Sequence, residues 1–214
     1  MDKRLSNRYD WESLGDVVKK KISYEKTGHD YDHTMRVLNN AMNIAEHHRG
    51  IDYDVLVASC LLHDIRVDAG NIKEHHIKSS IEAVKILSKM KFSSDTIEKV
   101  KHAIINHNRG FSTKGIDKDI DLSIEAKILC DADRLDALGA IGIVRMTLFS
   151  SEQKIPFFIS NSDKLDESLY GNMKFMAKIG TNMFTPQARL IAWQRIVLMN
   201  AFNGELSRDC AKRR

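Results

Sequence analysis

His63 and Asp64 stand at the end of the most apolar stretch of the chain, Val55-Leu56-Val57-Ala58-Ser59-Cys60-Leu61-Leu62. A carboxylate in that position is costly to ionise inside a fold unless a cation or hydrogen bonds compensate it. Alone, the dipeptide reads as a capping, ion-paired couple. A second carboxylate changes that reading. In Lys127-Ile128-Leu129-Cys130-Asp131-Ala132-Asp133-Arg134-Leu135-Asp136-Ala137, helical spacing sends two aspartates in different directions. Asp131 lies four residues after Lys127 and three before Arg134, the pattern of exposed ion pairs. Asp133 falls with Leu129, Cys130 and Ala137 on an apolar face. An inward carboxylate needs a partner from elsewhere in the fold, and a metal held by His63 and Asp64 supplies one.

A further histidine, His33, opens a helix after Gly28-His29-Asp30-Tyr31-Asp32; His29, in the preceding turn, is a weaker candidate. Nine histidines are present, so position counts for more than number. The ordered series His33, then His63-Asp64 in Leu-Leu-His-Asp-Ile, then Asp133 in Asp-Ala-Asp-Arg-Leu-Asp-Ala-Leu-Gly-Ala-Ile-Gly resembles the HD superfamily of metal-dependent phosphohydrolases. The resemblance spans about His29 to Arg145. It implies an all-α fold, an HD-domain helical bundle in which the histidine, the His-Asp pair and the later aspartate come from different helices. It also implies that His33, His63, Asp64 and Asp133 bind one divalent ion. His75, His76 and His107 fall where binuclear members carry further histidines, so they are expected to contact substrate phosphate, to bind a second metal, or to be polar helix-end residues; one ion is expected. Asp68, four residues past Asp64, resembles an acid that orients water or protonates a leaving group, and reads equally as a loop aspartate. The stretch Met183-Phe184-Thr185-Pro186-Gln187-Ala188-Arg189 looks like the C-terminal extension of a bacterial branch of standalone HD proteins. Members of that branch are similar to nucleotide hydrolases that use manganese or a related ion.

The chemistry fits without the family name. Two imidazoles and two carboxylates form a mixed nitrogen and oxygen set suited to Mn²⁺, Fe²⁺, Co²⁺, Ni²⁺ or Zn²⁺, with Mg²⁺ as a further candidate. Four protein ligands leave positions open for water and a phosphate oxygen, and a bound cation lowers the pKa of its water. No GxSxG elbow, P-loop or GxGxxG is present to suggest another route. Arg36, one helical turn after His33, is assigned to substrate phosphate together with Lys78 and Arg145. Arg145 has an alternative partner in Asp136.

The elements that must position these residues are helical. Apolar residues recur at helical spacing nearly throughout, without a convincing period of two. The pattern predicts helices over Trp11–Ile22, Thr34–His48, Asp54–Asp64, Lys73–Met90 and Asp95–His107, the last capped by Ser93 or Ser94. A further run covers Ile124–Phe149 with a bend at Gly139, and Lys164–Ile179 and Pro186–Glu205 close the chain. The 214 residues read as one helical domain, with an HD core over about 29–145 and a C-terminal extension over about 163–208. Met173, Met176, Met183, Met199 and Trp193 are expected in its core.

Cys60 and Cys130 sit in apolar runs and are expected as small core residues, not ligands. A net charge of +4 with scattered signs suits a small anionic substrate, here a nucleotide or related phosphate, and argues against nucleic acid. The start carries no signal-peptide pattern and no run is long enough for a bilayer, so a cytoplasmic, non-membrane protein is expected. A homodimer is compatible with the sequence but not specified by it. Two other functions remain open: a di-iron HD-fold oxygenase, which requires His75 or His76 and His107 as ligands, and a non-catalytic, metal-stabilised helical interaction module.

Overall fold

In the computed structural model the described residues are 3–22, 30–67, 74–109, 121–159 and 162–210. Among them every regular element is helical. In chain order these are α1 (Trp11–Ile22), α2 (Tyr31–Ala45), α3 (Tyr53–Leu62), α4 (His75–Lys89), α5 (Ser94–Asn106), α6 (Ile124–Asp136), α7 (Gly139–Glu152), a 3-10 helix (Ser162–Glu167), α8 (Leu169–Ile179) and α9 (Pro186–Cys210). The all-α expectation holds.

The chain divides into two compact units, with the boundary between Asp133 and Arg134 inside α6. The first contains α1 to α5 and most of α6. Its centre is α3, whose residues from Val55 to Leu62 are all buried. An amphipathic helix buries one stripe; one that is apolar all round must be covered on every side. Leu14 and Val18 of α1, Leu87 of α4, and Val100 and Ile104 of α5 supply part of that cover. Asp52 caps α3, its Oδ1 accepting from the Val55 amide at 3.2 Å, and Ser93 caps α5 by accepting from Thr96. Cys60 and Cys130 are buried and unbridged, as expected.

The single run read over Ile124–Phe149 is two helices, α6 and α7. Gly139 has φ +71°, a backbone conformation that favours glycine, and a Cβ there would lie 3.1 Å from the Arg195 side chain. The run over Lys164–Ile179 likewise splits into a 3-10 helix and α8, and Ser168 caps α8. Met173, Met183 and Met199 are buried, whereas Trp193, expected in the core, is 68% exposed. Helical periodicity identifies a face of α9 but not which face is covered.

Asp131 is a second correction. The spacing from Lys127 and to Arg134 predicted exposed ion pairs, yet Asp131 is fully buried and Arg134 nearly so. Arg134 turns inward, where Nη1 donates to the Asn182 carbonyl at 2.6 Å and the guanidinium lies over the Phe184 ring. Sequence spacing says which side chains are neighbours along a helix. It does not say that their shared face is wet.

Candidate metal centre

The first unit gathers its chemistry at helix ends. His33 is in the first turn of α2, where the cap Asp30 accepts from its amide at 2.8 Å. His75 opens α4. His63 and His107 occupy the C-cap positions of α3 and α5. Each of these two points its ring back at the carbonyl three residues earlier: His63 Nδ1 donates to Cys60 O at 2.8 Å, and His107 Nδ1 donates to Ile104 O at 2.6 Å. A carbonyl only accepts, so Nδ1 carries the proton and Nε2 of the neutral ring presents its lone pair to the interior. One bond thus satisfies a helix-end carbonyl and orients a ligand atom.

These lone pairs meet around Asp64. On one side, Asp64 Oδ2 is 3.6 Å from His33 Nε2 and 3.4 Å from His63 Nε2, and those two nitrogens are 3.3 Å apart. On the other side, Oδ1 is 3.4 Å from His75 Nε2 and 3.6 Å from His107 Nε2, with 3.1 Å between the nitrogens. Asp133 Oδ1 stands beside the first side, 3.5 Å from His33 Nε2 and 3.9 Å from His63 Nε2, next to the three-residue donor set of His33, His63 and Asp64. Helix α6 is held in that register by three cross-links. The Asn40 side chain donates to Ala132 O, the Cys130 thiol donates to Asn106 O, and Glu125 accepts from the Asp52 amide.

The donor spacing fits metal ions. Ligand bonds of about 2.1 Å put neighbouring donors roughly 3.0–3.4 Å apart on an octahedron or tetrahedron. The cluster offers two such sets, His33 with His63 and Asp64, and Asp64 with His75 and His107. The C-terminal ends of α3 and α5 also turn their partial negative charge toward it, which favours cations.

The electrostatics agree. Burial pushes the His63 imidazole down to about 4, more than the nearby carboxylates raise it, so the ring is neutral and ready to coordinate. Burial also opposes charge on His107, but the Asp64 carboxylate outweighs it and raises the pKa. Burial likewise acts against ionised Asp133, and His63 and His33 reverse that, holding it below the usual carboxylate range. Burial raises the Cys60 thiol, and Cys60 belongs to neither donor set.

Among the other sequence candidates, His76 is half-buried, and its Nδ1 accepts from Asn108 Nδ2 at 3.2 Å. It lies outside both donor sets, as do the half-buried Arg36 and Lys78. Arg145 Nη1 is 2.8 Å from Oδ2 of buried Asp136. Asp68 and His29 lie outside the described residues. The orienting roles of the Cys60 and Ile104 carbonyls were missed from sequence. Their only signal is a histidine ending an apolar helix three residues after each.

The fold and the site define a class. The HD domain family pattern matches residues 30–138, just over half of the chain, and the protein belongs to that family. It is similar to Bacillus subtilis YpgQ, with 28% identity over 199 residues and coverage of 92% of both chains. The crystal structure of YpgQ in complex with ADP superposes with a TM-score of 0.74 at 25% identity, over 94% of this chain and 95% of that one. An HD-superfamily hydrolase from Bacillus thuringiensis gives a TM-score of 0.70 at 25% identity, over 92% and 95%. Among the described residues no helix is long and apolar enough to cross a membrane.

Proposed function

We propose that the protein is a divalent-metal-dependent phosphohydrolase acting on a nucleotide or related phosphate ester or anhydride, with a two-ion centre bridged by Asp64. The observation that carries this reading is the position of Asp64, with a histidine pair facing each carboxylate oxygen. It departs from the single ion expected from sequence, because His75 and His107 meet at 3.1 Å beside Asp64.

In this reading His33, His63, Asp64 and Asp133 would hold one ion, and Asp64, His75 and His107 would hold the other. Ions bound there supply Lewis acidity and a water of lowered pKa. Two carboxylates against two dications leave excess positive charge, which suits a phosphoryl group. Arg36 follows His33 by three residues and Lys78 follows His75 by three, so each basic side chain rises from the same helix face as a ligand and is assigned to substrate phosphate. Arg145 is held by Asp136 and is left out of that role. YpgQ bound to ADP supports a nucleotide.

The test is to strip the protein of metal and reload it with Mn²⁺, Co²⁺, Ni²⁺, Mg²⁺ or Zn²⁺. Ions per chain are then counted, and phosphate and pyrophosphate release is screened across nucleotides. Two ions with metal-dependent release is the expected result. A di-iron oxygenase would use the same His75–His107 pair, and it would show bound iron with oxygen uptake and no phosphate release. A melting temperature that rises with metal, without turnover of any phosphate, would point to a structural module.

A further inference from the structure

The start of α4 and the end of α5 meet through two consecutive pairs of residues. His75 and His107 bring their Nε2 atoms to 3.1 Å, and one residue further along each segment His76 Nδ1 and Asn108 Nδ2 meet at 3.2 Å. The His76 ring lies 5.7 Å from that of His75, centroid to centroid, so it borders the His75–His107 donor set without belonging to it. The start of α4 is itself anchored, because buried Ser79 accepts from the Arg66 amide at 3.1 Å, two residues beyond Asp64. What is left to fix at His76 is the ring, and Asn108 holds it.

The chemistry of that hydrogen bond decides what the ring presents. An amide nitrogen only donates, so His76 Nδ1 must accept, and the ring is then neutral with its proton on Nε2. His63 and His107 are the reverse: their Nδ1 atoms donate to Cys60 O and Ile104 O, which leaves Nε2 as a lone pair. A ring nitrogen that keeps its proton does not ligate a metal ion. It donates, and an anionic oxygen is its strongest acceptor. Among the described residues Nε2 of His76 has no partner, and the Asn108 side chain has none besides His76. His76 is only half-buried, so a ligand can reach it.

On the phosphohydrolase reading proposed above, we infer that Asn108 is a positioning residue, which holds His76 as an Nε2–H donor to a phosphate oxygen of the substrate, beside the metal ions and not bound to them. The tautomers divide the labour. Rings with the proton on Nδ1 offer lone pairs to cations, and the ring with the proton on Nε2 meets the anion that those cations draw in.

Two measurements on the full chain test this without reading turnover. The first is nitrogen–proton correlation NMR of protein labelled at histidine, at mildly alkaline pH, with His76 assigned from the His76→Ala spectrum. The His76 ring should carry its proton on Nε2, opposite to His63 and His107. The second is calorimetric titration of the Mn²⁺-loaded protein with ADP as the probe. His76→Ala should leave the ion count unchanged and weaken ADP about tenfold, as expected for one lost charge-assisted hydrogen bond. His76→Gln should recover most of that affinity, because its amide donates from nearly the position of Nε2. Asn108→Ala should weaken ADP by a smaller factor, since the ring loses its orientation, and should add nothing in the His76→Ala background. A His76 ring protonated on Nδ1, which would need the Asn108 amide to accept, would overturn the inference. So would loss of an ion in His76→Ala, unchanged ADP affinity in that variant, or additive losses from the two alanine substitutions. Phosphate release enters neither measurement, so a failed hydrolysis screen would count against the proposed activity and not against this contact.

Discussion

The two sides of Asp64 use the same ligand type in different surroundings. His33 and His63 are both fully buried, and a second carboxylate, Asp133, stands beside them. His75 keeps some exposure, and no further acidic group joins it and His107 among the described residues. Affinity for a hard dication rises with the charge and rigidity of its ligands. In the two-ion reading proposed above, the His33–His63 side is the tighter site. The His75–His107 side, with one shared carboxylate and a partly exposed His75, then suits an ion that exchanges.

The largest effect should come from removing the feature both sides share. Asp64→Ala is expected to lose both ions and to reduce turnover to background, read by metal analysis of the purified protein and by product release. The fold should weaken too, because the clustered imidazoles lose a charge partner. One tightly bound ion with measurable turnover in this variant would end the bridging role.

Substitutions on one side should divide the centre. Asp133→Ala is expected to empty the tight site. His107→Ala should leave one tight ion and lose the exchangeable one, so the count falls from two to one per chain. Equal losses from the two variants, seen by calorimetric titration with Mn²⁺, would show that the sides are not distinct.

A smaller effect is expected from Arg36→Ala. It should retain its metal while catalytic efficiency falls about ten- to a hundredfold, the equivalent of a lost charge-assisted contact of ~1.5–3 kcal/mol. Normal kinetics would move the phosphate role to Lys78.

The smallest effect is on the metal-free protein. The folded pKa of His63, about 4, lies below its ordinary 6.5, so the unfolded chain binds more protons between those values. Stability should therefore fall as pH drops through that window. The raised pKa of His107 acts above its ordinary value, whereas burial also lowers the pKa of His76, which adds to the same window. Denaturant titrations at several pH values, with His63→Gln as control, would show it; an unchanged acid slope in that variant would assign the effect to another group.

Much of this was legible in the chain itself. Helical spacing, scarce prolines and the apolar run ending in His63-Asp64 determined an all-helical protein with a charged pair at the end of a central helix. The order of His33, His63-Asp64 and Asp133 indicated the family. Those signals are local: a period, a cap, or a polar residue where an apolar one is the rule. The tertiary structure decided what local signals cannot carry. His75 and His107 are separated by 32 residues and meet because α4 and α5 pack as neighbours. Asp131 is buried and Trp193 exposed because burial depends on which elements cover a helix, and periodicity records only that one face differs from another. The second donor set around Asp64 arises from such packing, with two helix ends brought to the oxygen atom that His33 and His63 leave available.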